Sequence, residues 1–179
     1  MINGIPTLLS THTASGATNL SITSNIDSTY DVYMFVFTAI HPSADRPAFT
    51  FNGSTDGGSS YAVTKTTTFF KAKTADGTTG DLSYMPDDDL AQSTDYQTIS
   101  DKILNDAEAS TAGILYLFGP SSTTYVKNFN SRSNCFGEGD RTQDMFLGGY
   151  FNTTSAINAV DFKISTGTFD GVIQMYGIG

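Results

Sequence analysis

The residues able to do chemistry in this 179-residue chain are few and scattered. Nucleophilic catalysis needs a base beside a hydroxyl or thiol, and the chain's only histidines are His12 and His41. His12 lies in the Thr-rich run Leu9-Ser10-Thr11-His12-Thr13-Ala14, and His41 is followed by Pro42. Neither is accompanied by a serine framed by the glycines of a nucleophile elbow, so both read as turn or surface histidines. Glycoside hydrolysis needs two carboxylates at a fixed separation. Asp81, Asp87, Asp88, Asp89, Asp95 and Glu138 supply carboxylates, but nearly all fall in predicted loops, where a solvated acidic face accounts for them. Asp87-Asp88-Asp89 and Asn134-Cys135-Phe136-Gly137-Glu138-Gly139-Asp140 cluster oxygen donors that suit a hard cation. Neither has the alternating oxygens, central glycine and closing glutamate of an EF-hand loop. The lone Cys135 has no disulfide partner and reads as a small buried thiol. No catalytic constellation and no cofactor or metal site emerges, and the chain is expected not to be an enzyme.

The aromatic residues are the remaining candidates. Nine Tyr and thirteen Phe stand beside no Trp at all. Sugar recognition rests on exposed aromatic faces with polar neighbours, and Tyr84, Tyr96 and Tyr125 are the aromatics expected at the surface; most Phe fall at inward strand positions. Asn19-Leu20-Ser21, Asn52-Gly53-Ser54 and Asn152-Thr153-Thr154 match the N-glycosylation triplet, but residues 1–25 carry no Lys, no Arg and no apolar run of signal-peptide length, so they read as chance. A chain made and folded in a cytoplasm is expected. No stretch is long and apolar enough for a membrane span. Nine basic against eighteen acidic residues leave a net charge of −9, which repels a phosphate polyanion. Lys65, Lys71 and Lys73 are the nearest thing to a basic cluster, so no nucleic-acid partner is expected.

These side chains must be positioned by strands. Period-two or doubly apolar runs over 5–13, 17–23, 30–40, 47–52, 60–72, 113–118, 122–129, 144–151, 157–165 and 168–177 alternate with turn chemistry such as Asn52-Gly53, Asp56-Gly57-Gly58 and Thr166-Gly167. The pattern predicts one all-β domain over 1–179, an antiparallel sandwich of about 8–10 strands. Leu20 and Ile22 share a face opposite Asn19, Ser21 and Thr23, as do Val160, Phe162 and Ile164 opposite Asp161 and Lys163. The runs 32–38 and 113–118 are apolar on both faces, which places them centrally or at a subunit contact; we read them as core. From 75 to 110 the chain is polar. There Ile99, Ile103, Leu104 and Ala107 fall at helical spacing, and Ser93 or Thr94 could cap a short helix over 93–109. This excursion, through Ile99, Ile103 and Leu104, is the candidate contact arm.

The string Ser28-Thr29-Tyr30-Asp31-Val32-Tyr33-Met34-Phe35-Val36-Phe37, followed by Ile40-His41-Pro42-Ser43-Ala44-Asp45 and then Ser54-Thr55-Asp56-Gly57-Gly58-Ser59-Ser60-Tyr61, resembles small virion structural proteins of tailed bacteriophages, especially phages of aquatic bacteria. The Thr/Ser-rich opening at 9–14 and the closing Tyr176-Gly177 fit the same pattern. The likeness covers about 1–72 and 154–179 and leaves 75–150 unanchored. It implies a jelly-roll-like sandwich on a particle surface, with no catalytic residue and no cofactor to carry over. The protein it implies is a capsid decoration (cement) protein: a homotrimer, partnered by the major capsid protein or other virion proteins, located in the virion after assembly in the host cytoplasm. The alternative is a tail-fibre or baseplate module that binds host-surface glycans. No tail-docking segment precedes the first strand, which favours decoration.

Overall fold

The computed structural model describes residues 4–75 and 80–179. These residues form twelve strands and no helix: β1 (Thr7–Ala17), β2 (Asn19–Ile22), β3 (Val32–Pro42), β4 (Phe49–Ser54), β5 (Lys65–Thr74), β6 (Asp81–Tyr84), β7 (Gln97–Ser100), β8 (Thr111–Phe118), β9 (Lys127–Gly137), β10 (Arg141–Phe151), β11 (Ala159–Ile164) and β12 (Phe169–Ile178). Eight strands make one sheet in the order β1-β12-β3-β8-β9-β10-β5-β6, and four make a second in the order β2-β11-β4-β7. Every pairing is antiparallel. The two sheets face each other across one apolar core, as the expected sandwich requires.

Phenylalanines dominate the layer between the sheets. Phe49 of the small sheet stacks on Phe162 at 5.8 Å and meets Phe37 of the large sheet at 5.4 Å. Phe51 packs edge-on against Phe129 at 5.1 Å. Alternation sets which residues turn inward: in β3, Tyr33, Phe35 and Phe37 are fully buried, while Val32, Met34 and Val36 between them are only half-buried. The same holds in β8, where Leu115 and Leu117 point to the core and Ile114 and Tyr116 away from it. The doubly apolar runs are therefore central strands, but only one of their faces is core. No element of the described chain covers the other.

The polar excursion departs most from its expected form. The 93–109 helix is absent: β7 occupies 97–100, and Ile103 makes an isolated bridge to Gly137. Ala107, fourth member of the helical set, is exposed, whereas Ile99, Ile103 and Leu104 are buried. The apparent 3.6-residue spacing thus combines a strand with an irregular crossing. Residues 85–93 continue along the edge of β5 where β6 stops, through Met85 N to Phe69 O and Thr67 N to Leu90 O, both at 2.9 Å. The chain then crosses to the inner face of β9, β10 and β5. That face is unusually polar, with Lys65, Thr67, Lys71, Ser131, Ser133 and Gln143 all buried, so only a polar cover can satisfy it. The excursion provides one. Thr67 Oγ1 donates to Gln97 Oε1 at 2.6 Å, Ser133 Oγ to Ile99 O at 2.8 Å, and Lys71 Nζ to Asp101 Oδ2 at 2.9 Å. Ile99, Ile103 and Leu104 hold this cover in place and are not free to grip a partner.

A second correction concerns the expected strand at 122–129. Residues 119–126 turn instead, with Ser122 N donating to Gly119 O at 3.0 Å and Ser122 Oγ accepting from Thr124 N and Tyr125 N. The strand begins at Lys127 and runs on through 130–137, which reads as loop in the sequence.

Candidate functional site

The residues singled out for chemistry do not assemble into a centre. His12 Nε2 lies 2.9 Å from Ser10 Oγ of its own strand, and partial burial lowers its pKa. His41 Nδ1 lies 2.7 Å from Ala109 O, at the far end of the excursion. Glu138 is held by Lys102 at 3.2 Å, which chiefly keeps its pKa low, and by Arg46 at 2.8 Å. Asp81 accepts from Ser83 and faces Lys73 at 3.6 Å. Asp89 accepts from the Tyr84 hydroxyl, whereas Asp88 is half-buried near Asp101, and desolvation followed by that charge raises it to about 6. Asn134 to Gly137 lie within β9 rather than in a cation loop. Among the described residues no three His, Cys, Asp or Glu side chains converge to hold a metal. Burial pushes the Cys135 thiol up to about 12, so it is a packing group and not a nucleophile.

Of the expected surface aromatics, Tyr84 and Tyr125 are exposed, at 53% and 73%. Tyr96 is half-buried and donates to Asp161 Oδ2 at 2.9 Å, and burial raises its pKa. Asp161 itself is buried and also accepts from Asn19 Nδ2 and Ser21 Oγ. Asn52 is buried, with its amide donating to Tyr61 O and Thr94 O, so its triplet offers no free side chain.

What the fold does assemble is the outer face of the eight-stranded sheet. Ladder register aligns side chains from successive strands into rows across it. One row runs Gln174, Val36, Ile114, Arg132, Phe146, Phe70, Tyr84 from β12 to β6. A second runs Leu8, Tyr176, Met34, Tyr116, Asn130, Gly148, Thr68 from β1 to β5. The face therefore divides into two halves. Over β12, β3 and β8 it is apolar: Val172, Tyr176, Ile178, Val32, Met34 and Val36 are half-buried. Leu8 at the β1 edge and Phe118 on β8 extend it, 50% and 36% exposed.

Over β9, β10 and β5 the face sinks into a trough of about 870 Å³, lined by Thr68, Phe70, Ile114, Tyr116, Asn130, Arg132, Asp144, Phe146 and Gly148 among others. Phe70 and Phe146 stack with ring centroids 4.9 Å apart and planes 8° from parallel. The Arg132 guanidinium lies 5.0 Å from the Phe146 ring centre and donates to Asp144, Nη2 at 2.8 Å and Nε at 3.2 Å. Gly148 leaves the floor open, since a Cβ there would meet only Thr68 Oγ1 at 3.7 Å. The side-chain amide of Asn130 has no hydrogen-bond partner among the described residues. Sequence reading misses this trough because Arg132 and Asp144 sit twelve positions apart and meet only once the β9–β10 hairpin pairs them as diagonal neighbours. The one local signal was the pair Phe69-Phe70, adjacent residues that a strand must send to opposite faces.

Comparison of the chain with family models, with curated proteins and with solved structures gives no match. The functional reading therefore rests on these surfaces and on the resemblance of residues 28–61.

Proposed function

We propose that this protein is a phage virion structural protein, a capsid decoration protein that works by binding and not by catalysis. The observation that carries the reading is the uncovered apolar half-face over β12, β3 and β8. A sheet face of this composition, centred on Met34, Val36, Ile114 and Tyr176, is what an assembly partner buries. Strand order supports the finer architecture. With β5, β6, β9 and β10 set aside, the large sheet retains β1-β12-β3-β8 and the small sheet is β2-β11-β4-β7. In eight-strand numbering these are 1-8-3-6 and 2-7-4-5, the two-sheet ordering of a jelly roll with its Greek-key crossings. The four remaining strands form two insertions that widen one sheet. A decoration protein stabilises the assembled shell because it binds assembled subunits in preference to free ones. The resemblance implies attachment to the major capsid protein as a homotrimer in the virion, after assembly in the host cytoplasm.

Imaging of intact particles that carry this chain tests the reading. Density for the sandwich on the capsid shell, with the β12-β3-β8 face turned to a neighbouring subunit, is the expected result. Density confined to the tail overturns decoration in favour of a tail-fibre or baseplate role, and density on neither overturns the virion assignment.

A further inference from the structure

The geometry points to the trough over β9, β10 and β5 as a binding site for a neutral oligosaccharide, a function separate from attachment through the apolar half-face. Three observations converge on that ligand class. The first is the aromatic track. Phe146, Phe70 and Tyr84 occupy directly opposed positions on β10, β5 and β6, with Phe70 40% and Tyr84 53% exposed. Phe146 is taken up by its stack on Phe70 and by Arg132, so the aromatic surface open to solvent is that of Phe70 and Tyr84. It suits the C–H face of a pyranose, which presents apolar hydrogens on one side and hydroxyls at its rim.

The second is the arrangement of polar groups beside the track. Asn130 offers an unused amide, one donor group and one acceptor. Arg132 is pinned by Asp144 and by the Phe146 ring, so its remaining N–H groups point from a fixed position. Thr68 and Gly148 leave the floor low between Tyr116 on one wall and Phe70 on the other. From β8 to β5 the trough spans three strand spacings of about 4.8 Å, or ~14 Å, which is room for a short chain of sugars and not for one ring alone.

The third is charge. The Arg132 cation is already answered by Asp144 at 2.8 Å, and the whole chain carries a net −9. An acidic glycan would find no uncompensated cation there, so the ligand is neutral. A second copy of the chain is a poorer occupant. The Arg132–Asp144 pair, Asn130 and Thr68 interrupt the lining of the trough, whereas the continuous apolar surface that a sheet-on-sheet contact buries lies on the neighbouring half of the same face.

The test is a printed array of neutral hexose and N-acetylhexosamine oligosaccharides with sialylated counterparts, followed by calorimetric titration of the hits against the full chain. Reproducible binding of neutral glycans over sialylated ones is expected. Affinity should fall at least tenfold in Gly148→Val, which fills the floor without removing any contact, and in Phe70→Ala. Thermal unfolding of both variants confirms that the fold persists; if Gly148→Val fails to fold, Asn130→Ala takes its place. An array without a neutral hit overturns the proposal. So does binding that survives both substitutions, or self-association of the free chain that these substitutions abolish. Particle imaging bears on attachment alone, so the two proposals fail separately.

Discussion

Lys71 Nζ lies 2.9 Å from Asp101 Oδ2, and this pair joins the inner face of the widened sheet to the polar segment that covers it. Both side chains are largely out of water, 4% and 13% exposed. Removing one partner leaves the other charge buried and unanswered, which costs far more than the pair itself contributes. Lys71→Met and Asp101→Asn should each destabilise the protein by about 3–5 kcal/mol. The double variant should recover much of that loss, giving a clear coupling energy in a urea-unfolding double-mutant cycle. Additive losses would show that the cover does not depend on this contact.

The apolar residues of the cover give a second test. Ile103 is fully buried, bridges Gly137 through its backbone and bonds to Pro47 O and Arg46 N. Ile103→Ala should cost about 2–5 kcal/mol, read as a lower urea midpoint. An exposed attachment arm would lose partner binding with no change in that midpoint.

Two physical facts explain which parts of the fold were legible in the sequence. Strands with one apolar and one polar face, such as β2 and β11, announce themselves, because burial acts on every second residue. So do doubly apolar strands, although the same pattern cannot say whether the second face meets core, partner or solvent. β9 is obscured because its inward residues include Ser131 and Ser133, which are buried with hydrogen bonds, to Ile114 O of β8 and to Ile99 O of the cover, and not by apolarity. The cover was misread as a helix for the complementary reason. Its conformation is set by the groups it must satisfy, among them Lys65 Nζ and Thr67 Oγ1, which lie some 30 residues away in the chain. The trough is a product of register between four strands, and no local motif encodes it.

Stability should also respond to pH through two groups that face this interior layer. Lys65 is fully buried, its ammonium donating to Val63 O and Asp95 O and lying 6.0 Å from the Phe151 ring centre. Desolvation lowers its pKa to about 8, partly opposed by the Asp95 charge. The unfolded chain holds that proton up to about 10.4, so between pH 8 and 10 the unfolded state binds more protons and stability rises with pH. Asp88 behaves oppositely on the acid side. Its folded pKa of about 6 exceeds the unfolded value near 3.9, so the native state is favoured by protonation and loses stability as pH climbs from 4 to 6. Urea midpoints measured across both windows should show Lys65→Met flattening the alkaline slope and Asp88→Asn flattening the acid one. Unchanged slopes would mean that neither group is desolvated in solution.

The one-sided burial of β3 can be tested on two consecutive residues. Phe37 points into the core, fully buried and 5.4 Å from Phe49, whereas Val36 stands on the outer face between Gln174 and Ile114. Phe37→Ala removes core contacts and leaves a cavity, and should cost about 3–5 kcal/mol. Val36→Lys exchanges a half-buried β-branched side chain for a long one whose ammonium reaches water over the sheet surface. It should cost no more than about 1 kcal/mol in the free chain, the span of strand propensity. The same lysine placed in an apolar contact would have to be desolvated without a partner. Val36→Lys should therefore leave the urea midpoint nearly unchanged while abolishing co-sedimentation with assembled particles. A protein unfolded by Val36→Lys would show that the chain covers this face itself. Co-sedimentation that persists would move the attachment surface off the β12-β3-β8 face.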